Sequence, residues 1–212
     1  VFEAMVRDRD CFRVLTISGA MTIAKQGLVV CEMIDRGWVQ AIVATGALMT
    51  HGFVEAAGMT HYKHRPSMND EELFAKGYNR VYDTLELEQN LDDTEKIVSA
   101  VLDGVPEGTV LASHVITEAL GRHLEAHADG RAILKSAVAH GVPVYIPAFT
   151  DSELGLDVAV YNRRREMAGK VRRAFDPFLD LEHYADHIRA HETIGIFTIG
   201  GGVPRNWAQQ VG

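Results

Sequence analysis

The sequence predicts an α/β protein: a doubly wound, mostly parallel Rossmann-like sheet with helices on both faces. Three observations carry this. Four short apolar runs, 12–17 (FRVLTI), 39–44 (VQAIVA), 142–146 (VPVYI) and 194–199 (IGIFTI), each end in a loop of small or turn-forming residues. Runs this short and rich in β-branched residues read as buried parallel strands. A helical stripe lies between the first two, and strand, loop, helix, strand over about 30 residues is one βαβ unit. Helical patterns also separate the later strands, and right-handed crossovers then place helices over both faces.

The first strand runs into Ser18-Gly19-Ala20-Met21-Thr22. Over 22–36, Ile23, Ala24, Leu28, Val29, Met33 and Ile34 keep helical spacing, Gly37 is the stop, and Trp38 opens the next strand. That strand leads to Thr45-Gly46-Ala47. A less regular insert follows, with a short helix and turn over 52–62, a loop over 64–69 and a helix from Glu71 capped by Asp70. Residues 78–88 alternate polar and apolar, then open at Asn90-Leu91-Asp92-Asp93, a suitable start for a helix to Leu102. Ser113 caps a helix through His127, and 132–140 form another that Gly141 ends. The third strand leads to Pro147-Ala148-Phe149-Thr150-Asp151. Residues 157–161 (DVAVY) read as a shorter, half-exposed strand and 162–177 as a basic, irregular segment, with Pro177 in the first turn of a helix to Ala190. After Gly200-Gly201-Gly202 no further helix is read, so the chain is expected to be one domain over 1–212 that lacks a C-terminal segment.

With 47% hydrophobic and 24% charged residues, the 212-residue chain has ordinary globular chemistry. A net charge of −8 argues against nucleic-acid binding, which needs clustered Lys and Arg. The basic run Arg163-Arg164-Arg165 with Arg172 and Arg173 reads as a solvated or subunit-contact face. Cys11 and Cys31 form no CxxC, so no disulfide framework or zinc knuckle is expected. No apolar stretch reaches the roughly 20 residues of a membrane span. The expected setting is the cytoplasm.

The four loops share the carboxyl edge of the sheet, where open α/β folds hold ligands. Glycine lets backbone approach a ligand, and helix N-termini offer N–H groups to phosphate. The GxGxxG fingerprint is absent. Asp151 suits two roles there, a bidentate acceptor for ribose hydroxyls or the N-cap of the next turn. His51, just past the second loop, is positioned to face the crevice as an acid or base. His61 and His64 stand at i, i+3, but no cysteine or close carboxylate completes a ligand set, so no metal site is read. Met21, Met33, Met49 and Met59 read as core fillers.

Taken together, the motifs resemble the deoxyhypusine synthase family. Ser18-Gly19-Ala20-Met21 stands where that family has Thr-Ser-Asn-Leu, and Thr45-Gly46-Ala47 matches its Thr-Ala-Gly. Tyr78-Asn79-Arg80 matches an Asn-Arg segment. Pro147 to Asp151 with Leu154-Gly155 resembles Pro-Ala-Leu-Thr-Asp and Leu-Gly, and Ile199 to Val203 resembles Leu-Gly-Gly-Gly-Val. The resemblance implies NAD held by Ser18, Gly19, Ala20, Met21, Thr45, Gly46, Ala47, Asp151 and Gly201. It implies a homotetramer with sites at a dimer interface, a polyamine substrate, and a protein lysine or a small amine as acceptor. The implied chemistry is hydride transfer from a secondary amine of spermidine to NAD, release of diaminopropane, capture of the aminobutyl group by a lysine as an imine, its passage to the acceptor amine, and reduction of the new imine by the retained NADH.

Departures from the family pattern fall on the substrate side. The family's acidic pair after the second loop reads Thr50-His51 here, an acid after Leu-Gly is replaced by Leu156 with Asp157 one place later, and a histidine after the glycines is replaced by Asn206. Thr50, His51, Asp157 and Asn206 are therefore the expected substrate-facing positions. The family's Trp-Gly-Lys segment has no counterpart up to Gly212. An ammonium site that loses carboxylates loses binding. The altered acids point either to a different substrate, as in homospermidine synthesis from putrescine, or to acids supplied from elsewhere. A non-catalytic NAD-binding relative is the alternative reading.

Overall fold

Cys11–Ile17 is buried at every position and forms strand β1, the second from one edge of the main sheet. The computed structural model describes residues 1–211. Around β1 the chain builds α1 (Phe2–Arg7), α2 (Gly27–Asp35), β2 (Ala41–Ala44), α3 (Gly46–Ala56), β3 (Tyr62–Lys63), α4 (Asp70–Ala75), β4 (Tyr78–Val81), β5 (Thr84–Leu87) and α5 (Glu88–Gly104). It continues through α6 (Ser113–His127), α7 (Ile133–Ala139), β6 (Val144–Tyr145), α8 (Glu153–Met167), α9 (Phe178–Arg189), β7 (Thr193–Ile199) and α10 (Val203–Val211). The main sheet is parallel throughout, in the order β6-β2-β1-β7, with Ile17 level with both Ala44 and Ile199. This register brings three strand ends to one line.

Alternation along the strands separates two cores. Leu15, Ile17, Ile42 and Ala44 pack with Ile34, Leu48, Phe53, Leu102, Ile116, Leu120 and Leu154 on one face. Phe12, Val14, Ala41, Val43 and Tyr145 pack with Tyr184 and Ala208 on the other. The sheet is thus covered on both sides, as the doubly wound reading expects. Among the described residues, no helix is long and apolar enough to cross a membrane.

Several expectations are corrected. Residues 157–161 are helical, inside α8, because Leu154, Asp157, Val158, Tyr161, Asn162 and Arg165 are buried at a helical repeat that overrides the local β-propensity of DVAVY. The N-cap before α4 is Asn69, whose side chain accepts from the Glu71 and Glu72 N–H groups, and Asp70 is already helical. α2 starts at Gly27 rather than near Thr22, since 21–25 form turns and Lys25 adopts φ 60°. Ser113 does not cap α6. Its hydroxyl accepts from the Ile146 N–H at 2.7 Å, while the Asp180 carboxylate on α9 takes the N–H groups of Ser113 and His114. A helix, α10, does follow the triple glycine. Within the insert, β3, β5 and β4 form a second, antiparallel sheet.

The basic run is also not simply solvated. Arg173 is 4% exposed and donates to the carbonyls of Leu102, Val105, Pro106 and Thr109, closing the loop after α5. Arg165, also buried, holds Glu107 at 2.9 Å. Charge-assisted bonds to buried carbonyls exceed neutral ones in strength. Arg173→Ala should lower the unfolding free energy by about 2 kcal/mol or more in urea titrations; a loss within error would remove it as a structural pin.

Asp157 generates a second expectation. Burial first, then the carboxylates of Glu153 and Glu95, raise its carboxyl to about 7, and its Oδ2 is buried without a hydrogen-bond partner. A raised folded-state value means that ionising Asp157 opposes folding, so its contribution worsens as pH rises from about 4 to about 7. Asp157→Asn should leave stability little changed near pH 4 and raise it at pH 8 by about 1 kcal/mol or more relative to wild type. Denaturant titrations at both pH values check this, and an equal offset at both would contradict it.

Candidate active site

The loops after the main-sheet strands touch one another at the carboxyl edge. Thr45, the N-cap of α3, donates its hydroxyl to the Gly19 carbonyl at 2.7 Å, tying the second loop to the first. Ser18 donates its hydroxyl to the Gly201 carbonyl and its N–H to the Ile199 carbonyl, tying the first loop to the fourth. Gly46 abuts the third loop so closely that a Cβ there would overlap Ser152. Gly200 and Gly202 hold φ of +84° and +75°, left-handed values that favour glycine. The four tips form one rim.

This rim can receive a phosphate and a ribose. Thr45 donates its hydroxyl to Gly19 and does not cap α3, whose first-turn N–H groups have no side-chain partner and are left to a ligand. At Gly19 and Gly201 a Cβ would meet nothing within 4 Å, so the backbone there is open to close approach. Ser152, not Asp151, caps α8, with its hydroxyl accepting from the Gly155 N–H at 3.4 Å. Asp151 is exposed, and among the described residues its carboxylate has no hydrogen-bond or ion-pair partner. Of the two roles open to Asp151, the cap is therefore taken by its neighbour. Ala47 lies in the first turn of α3, and Ala20 and Met21 are half-buried in the first loop.

Further along α3 stands a polar cluster. At 1.5 Å per residue, His51 lies about 9 Å along the helix from Thr45. Its Nδ1 is 2.8 Å from Glu86 Oε2, and His61 Nε2 is 3.0 Å from Glu86 Oε1. Glu86 comes from β5 and is 1% exposed, so the second sheet delivers a carboxylate against the helix that leaves β2. Burial alone would raise that carboxyl. The two imidazoles, His61 hydrogen-bonded at 3.0 Å and His51 at 2.8 Å, outweigh it and hold the carboxyl down at about 2.

The positions expected to face the substrate divide. His51 is half-buried beside Glu86, and Asn206 is exposed on α10. Thr50 is fully buried and donates its hydroxyl back to the Gly46 carbonyl, and Asp157 is buried among the carboxylates of Glu153 and Glu95. Neither is presented at the rim, whereas Leu156 is 55% exposed. Sequence reasoning missed Glu86. The signal was a lone carboxylate between Leu85 and Leu87 in an alternating run, but its partners lie 25 and 35 residues earlier. The partner of His61 is His51 rather than His64, whose N–H bonds the Asp83 carbonyl in the insert.

The family model for deoxyhypusine synthase matches residues 1–212. The chain is 32% identical over 210 residues to a probable deoxyhypusine synthase of Methanosarcina mazei, covering 99% of this chain and 63% of that protein. It is 29% identical to a deoxyhypusine synthase-like protein of Chlorobaculum parvum, covering 100% and 60%. The chain therefore spans somewhat under two thirds of the length of these relatives. A crystal structure assigned to a deoxyhypusine synthase of Entamoeba histolytica superposes with a TM-score of 0.67 at 16% identity, over 91% of this chain and 58% of that one. AgrE bound to L-arginine shares the fold, with a TM-score of 0.57 at 13% identity, over 100% of this chain and 25% of that one. With its whole length matched by the family model, the chain belongs to the deoxyhypusine synthase family.

Proposed function

We propose that the full-length protein is an NAD-dependent aminobutyl transferase acting on a polyamine, spermidine or putrescine. The observation that carries the reading is the single rim of four joined loops, with Asp151 left unpartnered on it. When bound, NAD supplies a reversible hydride acceptor. Ser18, Gly19, Ala20, Met21, Thr45, Gly46, Ala47 and Gly201 are the residues to hold it through backbone approach and helix N–H groups, and Asp151 is the acceptor for ribose hydroxyls. His51 meets the amine end of the substrate, with Glu86 behind it as the buried negative charge.

Replacement of the family's acids by Thr50, His51 and Leu156 supports a shorter polyamine such as putrescine, and with it homospermidine synthesis, because fewer carboxylates remain to hold ammonium groups. Assembly as a homotetramer, with sites at a dimer interface and a cytoplasmic setting, belongs to the same reading.

Incubation of the full-length protein with NAD and labelled spermidine or putrescine should yield diaminopropane, homospermidine or a labelled lysine adduct. NAD binding without any of these products would establish a non-catalytic relative instead. Asp151→Ala should weaken NAD binding by about 1–3 kcal/mol in calorimetric titration, and unchanged affinity would remove Asp151 from the cofactor site. His51→Ala should lower turnover more than cofactor affinity.

A further inference from the structure

We propose that His51, His61 and Glu86 form a binding site for one divalent first-row transition metal ion, with zinc as the reference ion. One ligand atom from each lies within 4.8 Å of the other two. Two imidazoles and a carboxylate are the donor set of mononuclear zinc sites that keep a coordination position open. Nitrogen-rich donors of this kind favour zinc and its first-row neighbours over calcium or magnesium, which prefer all-oxygen cages.

A plain hydrogen-bonded triad does not account for the cluster. His61 and Glu86 side chains are 1% and 2% exposed, so every polar atom on them needs a partner. His51 Nδ1, although 2.8 Å from Glu86 Oε2, is misaligned for a hydrogen bond and counts as a buried atom without a partner. A short approach with poor donor alignment is expected when two ligand atoms converge on a shared cation rather than on each other. His61 Nδ1 is likewise buried without a partner, and Glu55 Oε2 lies 4.0 Å from it. With Nε2 on a metal, Nδ1 carries the proton, and a carboxylate beyond it is the usual outer-shell acceptor that fixes the ring. Lys25 at 2.7 Å holds Glu55 on its far side.

The three ligands arise from α3, the start of the insert and β5, so folding of the insert onto α3 assembles the site. His51 is the most exposed of the three, at 15% of its side chain, so solvent and a further ligand reach the cluster from its side. A water molecule or a neutral amine is the ligand class the open coordination position takes. The site stands whether or not the protein transfers an aminobutyl group.

The test is zinc titration of chelator-stripped full-length protein by calorimetry, with cobalt substitution read by visible absorption. One equivalent of zinc should bind, with cobalt bands of a four- or five-coordinate site. His61→Asn and His51→Asn should each weaken zinc binding at least tenfold, with Glu55→Gln weakening it less. His51→Asn at the more exposed position guards against misfolding of the buried variants, with circular dichroism verifying the fold. His123 and His127, stacked at i, i+4 on α6, are the competing surface pair. Absence of stoichiometric binding would overturn the proposal. So would binding that survives His51→Asn and His61→Asn but is abolished by His123→Asn.

Discussion

The carboxyl edge of this protein depends on the close approach of α3 to the loop before α8, which exists because residue 46 is glycine. Any side chain at Gly46 would occupy the space of Ser152. Without that approach the β2 and β6 loops would separate, although the parallel register of β1, β2 and β7 would still align the strand ends. The hydroxyls of Thr45 and Ser18 then lace the remaining tips together through the Gly19 and Gly201 carbonyls. The first turn of α3 has no side-chain cap, so its N–H groups at the rim are free for a ligand.

Placement of charge sets the character of the cluster beside α3. Of the positions that depart from the family pattern, Thr50 is buried, Leu156 is exposed and His51 is half-buried. The buried negative charge there is Glu86 on the second sheet, in contact with the imidazoles of His51 and His61. The Glu86 carboxylate is buried and His51 is more exposed, so a ligand approaching from solvent meets the imidazole first. The insert is therefore part of the site rather than decoration on the sheet.

Much of the architecture was legible because local signals agreed with tertiary packing. The FRVLTI run, the end of the VQAIVA run at Ala44, Gly37 with φ +67° and the triple glycine lie at the predicted places, although β2 begins only at Ala41. Motif order made the family legible as well. The failures share one cause, which is that partners distant in sequence decide the outcome. DVAVY has strand composition, yet its burial repeat is set by packing against α5. Ser113 looks like a cap, yet Asp180, 67 residues on, does that work. Arg165 and Arg173 look like surface charge, yet the carbonyls and the carboxylate that hold them lie more than 50 residues earlier. Glu86 belongs to the same class, since no window short enough for periodicity contains both it and His51.

The most direct measurement is the NAD affinity of a Gly46→Val variant of the full-length protein beside Gly104→Ala, where an added Cβ meets nothing within 4 Å. A rim built by the contact of α3 with the loop before α8 predicts a folded Gly46→Val protein whose NAD affinity falls at least tenfold, about 1.4 kcal/mol, with Gly104→Ala unchanged. A folded Gly46→Val protein that binds NAD as tightly as wild type would contradict the account.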